Sequence, residues 1–590
     1  MDLLRRVVRI QVVVILAVLT LAPGAGWADW PSDPSVNLPI STTPVRQLSP
    51  VAIPDGAGGT ILTWTDYPGH FKDGHKDRSD SAAVFVQRVT SDGVPLWGEN
   101  GLLLCNAPGE QSFSVLVADG AGGAIIAWRD DRSGNLDIYA ARVGPGGESL
   151  WPPCGVAVCV YAYAQGNIAI ASDGVGGAIV TWEDCRSPGD FASDIYAQRV
   201  NAAGQLLWAT DGVAICTAAN GQVQPEIVAD GTGGAIIAWQ DSRRHGLGDF
   251  DVYAMRVDAF GDRLWQENGI PVCPETLFQS QPRLIPDGLG GAIIAWSDQR
   301  ADTTSVYSGD VYAQSLDPLG AARWTPNGVP LCVAPWPQYV SGISPDGDGG
   351  AIVVWDDFRS ESGDIYAQRV SGDGQALWAE DGIGLCVQEA PQVESTIAAD
   401  GSGGVIVGWV DWRSSVVGPG SDIYAQRVSG AGVPLWSADG TAVATAGYSQ
   451  VATTLAPDGL GGAVFAWADG RAGASMDIYA QRVLANGQLG GYVSGVPEPA
   501  GYSLQVHPNP FNPTTTIKCD IPVSGRVMLR VHDIRGALVR TLIDADFPRG
   551  SHQATWDGRD AAGRGMASGS YFVRLEAGGR VETVRMSLVR

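Results

Sequence analysis

Eight carboxylates recur in one setting, W-x-D: Asp66, Asp130, Asp184, Asp241, Asp298, Asp357, Asp411 and Asp469. An arginine follows two residues later in seven of them, Pro68 being the exception. A carboxylate beside a guanidinium makes a charge-assisted, bidentate ion pair, and a short acidic side chain caps turns. A catalytic group is normally used once, so a group repeated eight times is read as framework. The same side chains could ligate Ca²⁺, but a calcium loop needs several oxygen ligands close in sequence. Each of these turns offers one carboxylate. The expectation is therefore no cofactor, with Ca²⁺ as the alternative, and neither a catalytic residue nor a metal ligand is assigned.

Recognition chemistry is sought where the repeat breaks. The longest departure is the stretch Tyr67 to Arg78, which holds His70, Asp73, His75 and Asp77 together with two of the three lysines. Its His and Asp side chains could ligate a metal, but nothing in the sequence fixes their geometry and a solvated polar loop is the preferred reading. Trp336, Tyr339 and Trp412 are aromatics in variable loops, suited either to stacking on a ligand or to packing under their own loops. The motifs G-x-S-x-G, H-E-x-x-H and G-x-x-x-x-G-K-[ST] are absent. A glycosidase-type carboxylate pair is not marked out in any one repeat.

The elements that carry these residues repeat every 54 to 64 positions. Each unit has a D-G-x-G-G turn, beginning at Asp55, Asp119, Asp173, Asp230, Asp287, Asp346, Asp400 and Asp458. An apolar run such as Ala124-Ile125-Ile126-Ala127-Trp128 follows, then W-x-D-x-R, a variable loop, and D-I-Y-A-Q-R-V as in Asp364 to Val370. An L-W segment such as Leu377-Trp378 leads to a cysteine eight residues beyond the Trp. The unit reads as four short strands with positive-φ glycines in the first hairpin. An apolar run without alternation suits a strand covered on both faces. Four strands at this period is the pattern of a β-propeller blade. The eighth unit lacks its L-W segment, and Trp30, Asp33 and Leu38 reproduce the spacing of Trp378, Asp381 and Cys386. The fold expected is thus all-β: a closed eight-bladed propeller over 29–489 whose N-terminal strand completes the last blade. The loops joining strands two and three, and those joining successive blades, vary in length and emerge on one face, the expected recognition surface.

Residues 1–28 read as a signal peptide: Arg5, Arg6 and Arg9, an apolar run from Val12 to Leu21, and a cleavage site after Ala28. Export permits disulfides. However, Cys105, Cys159, Cys216, Cys273, Cys332 and Cys386 occupy one repeat position, so they should lie too far apart to bridge one another. They read as small buried hydrophobes; Cys154, Cys185 and Cys519 fall outside the pattern. The net charge of −25 argues against nucleic acid as a partner, and no second long apolar run follows the signal.

Composition changes after a linker at 490–500: residues 501–590 hold 12 Lys+Arg against 8 Asp+Glu. Seven alternating segments in about ninety residues suggest an immunoglobulin-like sandwich. Asn509-Pro510-Phe511-Asn512-Pro513, Trp556-Asp557-Gly558-Arg559-Asp560 and Ser568-Gly569-Ser570-Tyr571-Phe572-Val573-Arg574-Leu575 resemble the FlgD-type Ig-like domain, a pattern shared with C-terminal sorting domains of the type IX secretion system. The resemblance implies an address read by an outer-membrane translocon, with the cargo secreted or held at the cell surface. The leading expectation is a non-enzymatic recognition or adhesion scaffold that binds a glycan or protein on its variable-loop face. An exported hydrolase of glycans or peptides, with its site in the propeller funnel, is the alternative. A funnel cluster that breaks the eightfold repeat would favour the hydrolase if it paired carboxylates with Arg or Tyr.

Overall fold

The computed structural model describes residues 30–490 and 503–589, except 68–80, 187–192, 245–249, 274–276, 301–308, 417–419, 474, 508, 510, 522–524, 535–536, 548–549 and 578–579. The signal segment, the linker at 491–500 and the insert with His70, Asp73, His75 and Asp77 lie outside the described residues.

Among the described residues the repeat forms eight four-stranded antiparallel sheets. Blade three shows the plan: Gln165–Ser172, Ala178–Asp184, Asp194–Val200 and Val213–Cys216. The second strand is buried along Ala178 to Trp182, as its unbroken apolar run requires. First strands of successive blades touch one another, so they surround the axis and the short fourth strands lie outermost. In the D-G-x-G-G turn, Gly174 and Gly176 take φ of 76° and 89°, a region costly for other residues. Asp173 Oδ1 accepts the amides of Val175 and Gly177.

The N-terminal strand Leu38–Ser41 pairs antiparallel with Asp477–Val483 of the eighth blade. The first blade packs against the eighth: Gln47 N–H donates to the Met476 carbonyl, and Leu62, Trp64, Ala466 and Ile478 share one core cluster with Trp30. The ring is closed. Its register differs from the sequence expectation by three residues. Leu38 stands opposite Ala480 as Ile383 stands opposite Ala367, so Ser41, not Leu38, holds the Cys386 position. Three extra residues between Trp30 and Leu38 absorb the offset. The fourth strands are also shorter than expected. The L-W residues form a tight turn, closed by bridges such as Val200↔Leu206, and only the last residues before each Cys pair as strand.

That turn places the L-W indole across the seam between blades. Eight tryptophans (Trp30, Trp97, Trp151, Trp208, Trp265, Trp324, Trp378 and Trp436) each donate to a turn carbonyl of the next blade at 2.9–3.2 Å. Trp30 does this from the eighth blade to the first, reaching Ser91 O. Seven strand-three arginines pair with the D-G-x-G-G aspartates and donate to the same carbonyls. In blade five Ser315 replaces that arginine, and Arg323, from the L-W turn, pairs with Asp287 at 2.8 Å instead.

Residues 503–589 form a three-stranded and a four-stranded sheet around Trp556, Ile517, Leu529, Val573 and Met586. This is the seven-strand sandwich expected from the sequence.

Candidate functional site

The W-x-D-x-R residues are framework. Each Trp indole donates to its Asp at 2.7–2.9 Å. Each Arg pairs with that Asp and lies 3.6–4.1 Å over the strand-three tyrosine. Blade one lacks the arginine, and burial pushes Asp66 up to about 6. Cys159, Cys216 and Cys332 are buried beside these arginines, and burial pushes their thiols up to about 12. Among the described residues no group of three or more His, Cys, Asp or Glu is arranged to hold a metal ion.

The cysteine expectation fails at one place. Cys105 and Cys154 form a disulfide, their Cα atoms 4.5 Å apart. Cys154 is not a repeat-equivalent cysteine. It holds the position three residues after the L-W Trp where other blades carry Asn100, Asp211, Asn268, Asp381 and Asp439. Those side chains reach back and accept an amide from the preceding blade's fourth-strand end. In blade two a covalent bond replaces that hydrogen bond.

An eightfold signal that the sequence reading missed opens each first strand. Gln47, Gln111, Gln165, Gln222, Gln279, Gln338, Gln392 and Gln450 each stand 19 residues before the W-x-D aspartate and pair with it in register. Their buried amides donate to carbonyls of the incoming loop. This holds the residue two positions earlier at positive φ in several blades, including Tyr163 (75°), Trp336 (73°) and Tyr448 (68°). These three rings are 56%, 58% and 59% exposed on the variable-loop face. Of the aromatics singled out from sequence, only Trp336 is displayed this way. Tyr339 packs edge-on against Phe358, and Trp412 packs against the blade-seven core.

Two residues into each first strand the chain bulges. Ser49, Phe113, Asn167, Gln224, Gln281, Glu394 and Ala452 take φ of 42–56°; blade six bulges without a positive φ. Bulges re-aim side chains, and positive φ in such residues is strained. Here they project at the axial mouth on the variable-loop face. Behind them stands the middle residue of W-x-D, whose chemistry changes from blade to blade: Thr65, Arg129, Glu183, Gln240, Ser297, Asp356, Val410 and Ala468. Polar side chains cover blades two to six, and small or apolar ones the rest.

The polar arc is knitted across blades. Glu183 Oε1 accepts from Asn167 Nδ2 and from the Gln224 amide of the next blade. Asp356 accepts the amides of Glu394 and Ser395 and the Ser395 hydroxyl. Burial pushes Asp356 up to about 6 and raises Glu183. Gln240 donates to Gln224. Deeper in the channel Arg283 pairs with Glu226 at 2.6 Å and reaches Ser341 O, joining blades four, five and six. On the opposite face a depression of about 590 Å³ lies between two D-G-x-G-G turns, but its arginine, Arg369, is committed to Asp346.

The fold and these sites define a β-propeller followed by an Ig-like sandwich. The FlgD Ig-like domain model matches residues 514–580, which include two of the three motifs that resembled that family, Trp556–Asp560 and Ser568–Leu575. No curated protein matches the chain. Solved structures it resembles include α-L-arabinanase of Penicillium chrysogenum with arabinobiose (16% identity, 55% of this chain and 94% of that one, TM-score 0.34). Another is an unknown-function protein of Dyadobacter fermentans (12%, 58% and 96%, TM-score 0.31). PorZ, a bacterial surface component of the type IX secretion system of Porphyromonas gingivalis, overlaps at 12% identity over 93% of this chain and 82% of its own, TM-score 0.24. The architecture rests on the strand pairing above rather than on these overlaps. Among the described residues no helix is long and apolar enough to cross a membrane.

Proposed function

We propose that the mature chain is an exported glycan-recognition propeller that takes its ligand at the axial mouth of the variable-loop face. The observation that carries this reading is a band of described residues at the funnel mouth where the eightfold framework abandons its symmetry. There the strained bulges bring Phe113, Asn167 and Gln224 together with the half-buried W-x-D middle residues Glu183 and Arg129. An exposed aromatic ring among amide, carboxylate and guanidinium groups matches the alternating apolar faces and hydroxyl edges of a sugar.

The symmetry-broken band also meets part of the condition for a hydrolase, since it contains carboxylates and an arginine. A general acid needs a carboxyl that titrates near neutrality and reaches its substrate. Asp356 has the first property, but both its oxygens accept hydrogen bonds from the next blade. Glu183 spends one oxygen the same way. These contacts support a binding role over acid–base chemistry.

The domain limits proposed are a signal at 1–28, the propeller at 29–489, a linker at 490–500 and the Ig-like domain at 501–590. That last domain would direct secretion through a type IX-like translocon or attachment to the cell surface. A glycan array probed with the mature chain tests the reading, followed by titration of any hit against Phe113→Ala and Asn167→Ala. We expect binding that these variants weaken. An array with no hits, or hits indifferent to both variants, would refute it. Deleting 501–590 should leave the propeller folded but mislocalised; normal surface display would remove the sorting role.

A further inference from the structure

The arginines of the two repeated sets are paired with aspartates, and Arg283 is paired with Glu226. Arg129 differs. It is half-buried in the polar arc, has no hydrogen bond or ion pair among the described residues, and its Nε is enclosed without an acceptor. Its guanidinium carbon sits 3.7 Å from the Phe113 ring centroid, so the aromatic face supports one side of the fork. Across its own sheet Arg129 faces Ser112, and from the next blade it is approached by Gly166, whose position carries Val223, Tyr339 or Val393 in other blades. A Cβ there would lie 3.9 Å from Arg129 Nη1, so the missing side chain leaves room at the guanidinium. Glu110, Glu183 and Tyr67 act on Arg129 through space without bonding it. The enclosed Nε–H lacks an acceptor, and the half-buried fork has no protein carboxylate among the described residues, so a ligand that supplies acceptors would be favoured there.

We propose that Arg129 receives the carboxylate of an acidic saccharide bound at the funnel mouth. The proposal rests on the glycan reading above and names its ligand class. A planar carboxylate matches the two parallel donors of a guanidinium. A uronate, with at most one charge per sugar, suits the site better than a polysulfated chain, because the protein carries −25 and Arg129 neutralises one negative charge.

The test titrates the mature chain with an oligogalacturonate and with the same oligomer after its carboxyl groups are reduced to alcohols. The variants are Arg129→Gln and Gly166→Val; the second fills the space at Nη1 and leaves the charge in place. We expect each variant to weaken the uronate by about tenfold or more and to leave the reduced oligomer within about twofold, with unchanged melting. Uronate binding that ignores both variants, or equal losses for uronate and reduced oligomer, overturns the assignment while the glycan reading stands. Binding of a peptide C-terminal carboxylate in place of the uronate also overturns it. If neither oligomer binds and the glycan array is blank, the underlying reading fails instead.

Discussion

Removing one indole should unzip the ring at its seam. Trp30 is 2% exposed, lies against Gly93, and donates its N–H to Ser91 O at 2.9 Å. Truncating a buried Trp to Ala costs about 3–5 kcal/mol, within which the lost hydrogen bond accounts for about 1 kcal/mol. Trp208→Ala removes the same contacts, including the bond to Ala259 O, so the two variants should melt alike. They should differ in where they open. The Trp208 segment is covalently continuous with strands on both sides, whereas Leu38–Ser41 is an N-terminal strand with three register pairs. Hydrogen exchange followed by mass spectrometry reads this directly. In Trp30→Ala the amides of Asp477–Val483 should exchange on the order of a hundredfold faster, since their opening free energy falls by most of the mutational cost. In Trp208→Ala they should stay near native. Equal exchange at Asp477–Val483 in both variants, or native exchange in Trp30→Ala, would refute closure by the N-terminal strand.

Further outcomes follow from the same geometry. The Cys105–Cys154 bond closes a loop with a sequence separation of 49, for which chain entropy predicts up to about 4 kcal/mol; reductant should lower the melting temperature of the native chain and leave Cys105→Ser/Cys154→Ser unmoved. Burial raises Asp66 to about 6, so the native state holds its proton more tightly than the unfolded state and stability is lost as pH rises from about 4 through 6. Asp66→Asn should therefore melt above wild type at pH 7.5 and converge with it at pH 4.5, whereas Asp241→Asn should be destabilising at pH 7.5, because Arg243 loses its buried partner. Arg323→Leu should destabilise by about 3 kcal/mol, since it strands the Asp287 carboxylate; Ser315→Arg in that background should restore the melting temperature.

Much of the framework was legible because its determinants are local. A glycine at positive φ and an aspartate that caps its own turn leave the same five letters in every blade, and the missing eighth L-W segment pointed to Trp30. The three-residue slip at Leu38 arose because spacing alone cannot see an insertion between two anchors. The disulfide escaped notice because only equivalent cysteines were compared, whereas Cys154 stands where its neighbours carry Asp or Asn. The bulge residues share a backbone conformation and no residue type: Phe113, Asn167, Gln224 and Glu394 look unrelated until their φ angles are seen. Arg129 was invisible for a related reason. The middle letter of W-x-D reads as noise unless the first strand is known to face the axis.

Blade five separates framework from site. When Ser315 takes the arginine position, Arg323 supplies the lost charge from another strand turn, and the pair with the D-G-x-G-G carboxylate survives at 2.8 Å. That exchange is a double substitution already present in the chain, and it marks the ion pair as something the ring requires at every seam. The middle position of W-x-D has no such compensation: arginine, glutamate, glutamine, serine and aspartate follow one another through blades two to six. A framework position that lost its chemistry five times over without repair would weaken five blades, yet the flanking Trp and Asp are buried and hydrogen-bonded in each. The variation is therefore tolerated by the fold, and the idle donors of Arg129 are a cost that ring stability does not explain. The ligand recognition proposed at the axial mouth would account for both facts at once.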